Sequence, residues 1–293
     1  MTPAGRLREL LARNTILMAP GCHDALGARF IQKAGFQAAY MTGYGVACSL
    51  LGRPDLGELT LTEMVSHAHR IAAAIDIPLI CDADTGYGGP LNVQRTVREF
   101  EMAGVAAIHI EDQMEPKRCA AMEGFRVIEP EAAVERIRAA VAAKRDPDFV
   151  IIARTDSRPV YGLEHAVRRA KAFAEAGADM VYVELLGSVE EVEYAARSIS
   201  GVPILFDMFD HPLVPVLSAP ELERMGYKVV TFPFTSTLAY AKTLDDLYSS
   251  MLERQGAAHL AERRMDLHEF EEALNLKEIW EQLFRTLHPS ESR

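Results

Sequence analysis

Short runs of apolar and β-branched residues alternate along the chain with longer segments whose apolar positions recur every three or four residues. The short runs predict strands at Ile16–Pro20, Ala38–Thr42, Pro78–Asp84, Ala106–Asp112, Phe149–Asp156, Met180–Leu185, Pro203–Met208 and Lys228–Pro233. Between them, Leu91–Ala103, Glu131–Ala143 and Leu163–Ala176 carry the spacing of amphipathic helices. Strands that are each followed by a helix, or by a connection long enough for one, pair in parallel through crossovers. The expected fold is a (β/α)8 barrel with extra C-terminal helices.

A repeated joint supports the barrel. Ala34-Gly35-Phe36, Ala103-Gly104-Val105, Ala176-Gly177-Ala178 and Met225-Gly226-Tyr227 each stand just before a predicted strand. Glycine at the end of a helix adopts positive φ without a Cβ penalty, so each joint reads as helix, cap, strand. A doubly wound open sheet is the competing fold, but no Gly-x-Gly-x-x-Gly follows the first strand. From Phe234 onward the chain is longer than one barrel helix requires, and residues 256–293 are expected to form a helical extension of the same domain. Within it, Met265–Leu287 predicts a helix with a stripe of Leu267, Phe270, Leu274, Ile279 and Leu283, and the chain's one tryptophan, Trp280. Periodicity alone leaves two places for that stripe: its own barrel or a neighbouring subunit.

Composition narrows the class. The 293 residues are 49% hydrophobic, enough for a single large core spanning residues 1–293; barrels of this kind run to ~250 residues as one domain. A net charge of −11 opposes a nucleic-acid partner, whose phosphates call for a basic footprint. No apolar run approaches the ~20 residues that span a bilayer. The segment Met1–Asn14 sets Arg6, Arg8, Glu9 and Arg13 among leucines, the pattern of an amphipathic helix and not of a signal peptide. Cys22, Cys48, Cys81 and Cys119 are scattered without metal-type spacing, which points to a reduced, cytoplasmic setting.

Candidate chemistry gathers at the C-terminal ends of the predicted strands, where barrel enzymes build active sites. Residues two apart share a strand face, so Asp82 pairs with Asp84, His109 with Glu111, Arg154 with Asp156 and Tyr182 with Glu184. Asp82, Asp84 and Glu111 converging in one mouth repel without a cation, and oxygen ligands with no soft donors nearby suit Mg2+ or Mn2+. Asp24 and Asp112 each read as a helix cap or a loop hydrogen bond. Cys81, one residue out of phase with Asp82, is expected to face the helix layer. The loop Pro116-Lys117-Arg118-Cys119 places a thiol beside two cations, which predicts a lowered pKa and a role as proton donor or nucleophile. His67, His69, His211, His259, His268 and His288 form no ligand spacing and read as solvent or packing residues.

Several segments together resemble the isocitrate lyase and phosphoenolpyruvate mutase superfamily. They are Met41-Thr42-Gly43-Tyr44-Gly45, Gly52-Arg53-Pro54-Asp55-Leu56-Gly57, Asp82-Ala83-Asp84-Thr85-Gly86-Tyr87-Gly88, Glu111-Asp112-Gln113, Pro116-Lys117-Arg118-Cys119 and Ala153-Arg154-Thr155-Asp156. The resemblance implies a Mg2+-dependent lyase that breaks a C2–C3 bond in the retro-aldol sense, acting on a small 2-hydroxy di- or tricarboxylic acid. In that reading Asp82 binds the metal directly, Asp84 and Glu111 hold it through water, and Asp55 sits in the same shell. Thr42, Gly43 and Tyr44 grip the α-carboxylate with Arg154. Cys119 protonates the carbanion, Lys117 lends charge, Tyr40 or Tyr87 removes the hydroxyl proton, and Glu184 supports from behind. The resemblance also implies a homotetramer, a dimer of dimers, with the C-terminal helix exchanged between subunits.

The chain departs from the family's lyase pattern in the catalytic loop. A Cys-Gly-His sequence followed closely by Gly-Lys is usual, whereas this chain reads Cys119-Ala120-Ala121-Met122-Glu123-Gly124-Phe125. Asp207 stands where an asparagine often ends the seventh strand, and Phe234-Thr235-Ser236-Thr237 follows the usual pattern loosely. The metal and α-carboxylate half is therefore expected to be intact and the distal half altered, with isocitrate a poor substrate. Oxaloacetate decarboxylation, phosphonopyruvate-type P–C chemistry and a metal-binding pseudoenzyme are the alternatives. Lys117-Arg118-Cys119 in place of an asparagine or threonine loop speaks against the P–C reaction.

Overall fold

A computed structural model describes residues 1–287; His288 lies outside the described residues. Strands β1 (Leu17–Cys22), β2 (Ala39–Met41), β3 (Leu79–Asp82), β4 (Ala107–Glu111), β5 (Val150–Thr155), β6 (Met180–Val183), β7 (Ile204–Asp207) and β8 (Val229–Phe232) close into a barrel in sequence order. The closing pair, β8 with β1, is parallel like the others. Each strand lies within two residues of its predicted ends. The four glycine joints adopt φ of +93° at Gly35, +83° at Gly104, +96° at Gly177 and +103° at Gly226, as a helix cap feeding a strand requires.

Period-two alternation divides the strand residues between two buried layers. Cys81, Ile108, Ile151 and Val181 point outward into the layer beneath the helices. Ile80, Ala107, Val150, Ile152, Met180, Tyr182, Leu205 and Val229 fill the barrel interior. That interior is closed at the N-terminal end of the strands by Leu7 and Leu10 of the helix Pro3–Ala12, which Thr2 caps by accepting from the Gly5 N–H. Stepping up each strand by two residues takes the inward face from apolar to charged: Ile80 to Asp82, Ile152 to Arg154, Tyr182 to Glu184, Leu205 to Asp207. The packed floor and the polar mouth are thus parts of one side-chain series.

The chain divides into two compact units, Met1–Thr237 and Leu238–Arg293. The helix Thr235–Arg254 explains this placement, because Thr237 is its last buried residue. The second unit contains the remainder of that helix, a 3-10 turn Ala258–Arg263, and helices Leu267–Ala273 and Leu276–Leu287. The single helix expected over Met265–Leu287 is therefore two. Asn275 takes a left-handed φ of +59° and interrupts it, while the apolar period continues on the far side. Ile279, Trp280, Leu283, Phe284 and Leu287 are exposed along one helix. No helix among the described residues is long and apolar enough to cross a membrane.

Candidate active site

The charged ends of the strands surround a narrow cavity lined by Tyr40, Thr42, Tyr44, Asp55, Asp82, Glu111, Lys117, Arg118, Cys119, Arg154, Glu184, Asp207, Phe209 and Phe234, among others. Nearly every residue expected at the site thus meets in one place. Gly43 belongs there by necessity: a Cβ on it would stand 2.5 Å from Asp82 Oδ2. The helix Gly43–Leu51, capped by the Thr42 hydroxyl, therefore starts against that carboxylate. Its first backbone N–H groups form a positive end suited to an anionic ligand.

Asp82 is buried and its Oδ1 accepts from the Asp84 N–H at 2.9 Å. His109 lies behind it, with Nδ1 3.6 Å from Asp82 Oδ1 and Nε2 2.7 Å from the Tyr40 hydroxyl. Burial pushes His109 down to about 4, so the ring is neutral near pH 7. Asp84, at φ +48°, turns to the Lys117 ammonium, which also meets Asp55 Oδ2 at 2.7 Å. Burial raises Asp84 to about 7 against the pull of Lys117. Glu111 is buried with Oε1 lacking any hydrogen-bond partner and Oε2 3.5 Å from Arg154 Nε.

Arg154 is held by a bidentate contact to Asp156, at 2.7 and 3.3 Å. Gln113 Nε2 donates to the same Asp156 at 2.6 Å, and Asp112 accepts from the Asp156 N–H, the Thr155 hydroxyl and Arg169. The Glu111-Asp112-Gln113 run therefore splits its labour. Glu111 faces the cavity, while Asp112 and Gln113 fix the end of β5 and so aim Arg154. Asp112 is a loop hydrogen-bonding residue as expected, and Asp24 caps the helix Ala25–Lys33.

Two expectations about proton chemistry change. The Cys119 thiol is not lowered by its basic neighbours: burial pushes it up to about 12, and Lys117 spends its charge on Asp55 and Asp84. A thiol so placed keeps its proton, which favours the proton-donor role over the nucleophile. Tyr40 is bound to His109, and both it and Tyr87 have pKa values held well above the ordinary phenol by burial and nearby acids. Neither is poised as a base.

Sequence reasoning left Asp156, Gln113, His109 and the aromatic wall without roles. Tyr44 and Phe234 meet edge-on with ring centroids 4.6 Å apart, and Phe209 meets Phe234 at 4.7 Å. Asp156 carried a usable signal, two residues beyond Arg154 on the same face. Phe209 and Phe234 lie just past the ends of β7 and β8, outside any periodic segment. Phe125, expected to alter the substrate end of the site, packs against the core beneath the helices instead.

A cation fits this mouth. Among the described residues no three His, Cys, Asp or Glu side chains form a ready cage, so several direct carboxylate ligands are not what the geometry offers. Lys117 is occupied by Asp55 and Asp84, and Arg154 by Asp156. Against its burial, His109, Lys117 and Arg154 hold the Asp82 carboxyl below the usual carboxylate range, so it stays ionised and open to a cation, while burial holds Glu111 well above that range with its Oε1 an orphan that a cation nearby would relieve.

Comparison with known proteins agrees with this geometry. Residues 7–252 match the phosphoenolpyruvate phosphomutase family. The chain is 41% identical over 281 residues to 2,3-dimethylmalate lyase of Eubacterium barkeri, covering 96% of this chain and 97% of the relative. It is 42% identical over 248 residues to 2-methylisocitrate lyase of Aeropyrum pernix, covering 85% and 79%. A crystal structure of 2,3-dimethylmalate lyase, described as a PEP mutase/isocitrate lyase superfamily member, superposes with a TM-score of 0.90 at 36% identity, covering 96% of this chain and 94% of that one. Phosphonopyruvate hydrolase in complex with oxalate and Mg2+ superposes at 0.88 with 26% identity, covering 98% and 99%. The chain belongs to the phosphoenolpyruvate phosphomutase family, within the PEP mutase/isocitrate lyase superfamily. The carbon–carbon lyase class expected from the motifs is the class its relatives carry.

The position of Cys119 generates a direct test. Only the thiolate alkylates, so a raised pKa means slow reaction near neutral pH and a rate that climbs as pH rises. Iodoacetamide labelling of Cys119, followed by peptide mass spectrometry on the native protein, is expected to show no plateau below about pH 10. A plateau near pH 7 would mean that the neighbouring cations, and not burial, govern the thiol.

Proposed function

We propose that this protein is a Mg2+-dependent lyase that cleaves the C2–C3 bond of a 2-hydroxy dicarboxylate with apolar substituents, a substituted malate. The observation that carries the reading is the cavity's lining. It presents two sets of groups, the first a helix N-terminus, Arg154 and buried acids, the second a protonated thiol and an aromatic cluster. The first suits an α-carboxylate and its hydroxyl. The second suits a carbanion and small apolar groups.

Each residue then has a task. The N–H groups at Gly43 and Tyr44, with Arg154, orient the α-carboxylate. Asp82 would hold Mg2+ (or Mn2+) directly, with Asp84 and Glu111 acting through water, and the ion when bound would stabilise the C2 oxyanion as a Lewis acid. Lys117 ties Asp55 and Asp84 together and keeps that shell in place. The hydroxyl proton passes to the cavity's buried carboxylates, whose pKa values burial raises. As the C2–C3 bond breaks, C2 becomes the carbonyl of a 2-oxo acid, pyruvate when it carries a methyl group and glyoxylate when it carries hydrogen. C3 leaves as a carbanion stabilised by its carboxylate and takes the Cys119 proton. Glu184 borders the cavity and sits 3.7 Å from Arg154 Nη2, where it steadies the guanidinium.

The loop supports a small substrate as well. Ala121 donates no side-chain hydrogen bond, and losing one to a charged group costs roughly 1.5–3 kcal/mol, about one to two powers of ten in rate. Comparing kcat/KM for isocitrate, 2-methylisocitrate, 2,3-dimethylmalate and oxaloacetate in wild type and Cys119→Ser tests the reading. The dimethylmalate is expected to be preferred, isocitrate poor, and cleavage to fall at least tenfold with serine, a weaker acid in this role. Isocitrate as the best of the four would overturn the substrate class. Oxaloacetate turnover indifferent to Cys119→Ser, with no cleavage of the others, would make the enzyme a decarboxylase.

We also propose that the chain assembles as a homotetramer, a dimer of dimers, in a reducing cytoplasmic setting that suits its free cysteines. The exposed stripe Ile279, Trp280, Leu283, Phe284 and Leu287 is what a second copy would cover. Removing everything after Glu262 is expected to yield smaller species by light scattering. An intact protein that runs as a monomer at micromolar concentration would contradict this assembly.

A further inference from the structure

The ends of β6 and β7 bring two acids side by side. Tyr182 is in register with Leu205, and two residues further along the same inward face stand Glu184 and Asp207. Asp207 is in turn in register with Thr231 on β8, whose hydroxyl donates to Asp207 Oδ1. Glu184 Oε2 is buried without a hydrogen-bond partner, and Arg154 Nη2 reaches it only at 3.7 Å because its stronger contacts go to Asp156. Both acids line the cavity, next to Phe209 and Phe234. This end of the site therefore presents carboxylates and aromatic rings to whatever part of the substrate reaches it.

We propose that Asp207, acting with Glu184, sets the charge of the substrate, so that the cavity takes dicarboxylates and rejects tricarboxylates. The inference rests on the lyase reading above and goes past it to the residues that choose among substrates. A third carboxylate placed here would be taken from water, lie against like charge, and find the cavity's cations Lys117, Arg154 and Arg118 already bound to Asp55, Asp156 and the Glu123 carbonyl, each of which counts against binding. An apolar substituent meets the rings and forfeits nothing. Discrimination then comes chiefly from a repulsive element built against the larger acid.

The surroundings agree from every strand that faces the pair. Asp82 on β3 and Asp210 beyond β7 add like charge to Asp207, Arg154 on β5 opposes it, and the Tyr40 hydroxyl on β2 contributes no cation. Burial and these acids raise Asp207 to about 7 and Glu184 above its ordinary value. Near neutral pH Asp207 is thus ionised only in part, and the repulsion it exerts on a third carboxylate grows as pH rises.

The test uses the full-length, Mg2+-loaded protein with Asp207→Asn, an isosteric change that removes the charge and adds a donor, and Glu184→Gln as a second variant. Two quantities are measured near neutral pH. One is kcat/KM for 2-methylisocitrate relative to 2,3-dimethylmalate; the other is calorimetric affinity for tricarballylate relative to succinate. In Asp207→Asn both tricarboxylate-to-dicarboxylate ratios are expected to rise by about tenfold or more, with the kinetic change carried in KM. Glu184→Gln is expected to move both in the same direction. Ratios within about twofold of wild type in both variants, or equal losses for both acids, would overturn the proposal. Should the wild type cleave neither acid, the lyase reading falls while the affinity ratio still decides the role of Asp207.

Discussion

Buried negative charge without matching positive charge is the constraint on which this site depends. A barrel that ends its strands in the buried Asp82, Glu111 and Glu184 and the half-buried Asp207 places carboxylates in a mouth with little water to solvate them. The cations that the chain supplies are committed elsewhere, Lys117 to Asp55 and Asp84 and Arg154 to Asp156. An uncompensated buried acid is costly, so such a mouth either takes up protons or takes up a cation. Burial pushes Asp207 up to about 7 and holds Glu111 well above the usual carboxylate range, the first response in the protein alone. The divalent ion we propose would supply the second, and with it the means to hold an oxyanion.

The same constraint explains details that lie away from the cavity. Asp112 and Gln113 have no ligand to touch, yet they pin Asp156, and Asp156 pins Arg154. Without that chain of contacts, the guanidinium would be free to collapse onto Glu111 or Glu184, where it would quench the charge the site needs. Gly43 serves the same end, since a side chain there would displace Asp82 from the helix N-terminus. The geometry of the cavity is thus set in part by groups that do not line it.

Much of this was legible in the sequence because a barrel strand writes its two faces in alternation. Asp82 and Cys81 read as facing the mouth and the helix layer before any coordinates, and the structure places them so. The glycine joints were legible for an equally local reason, the positive φ that only they adopt cheaply. What escaped was non-local. The pKa of Cys119 is set by how deeply the loop is buried, which its basic neighbours in sequence do not reveal. The break at Asn275 hides because the apolar period resumes beyond it. Phe209 and Phe234 reach the cavity from segments with no period to read, and Phe125, adjacent to the catalytic loop, does not reach it.

The most direct test of the central claim is calorimetric titration of chelator-stripped protein with Mg2+, in parallel with Asp82→Ala. The expected result is uptake of one ion per chain by the wild type, lost in the variant while its circular dichroism spectrum is unchanged. Wild-type protein that binds no Mg2+ at millimolar concentration, or a variant that binds as well as wild type, would contradict it.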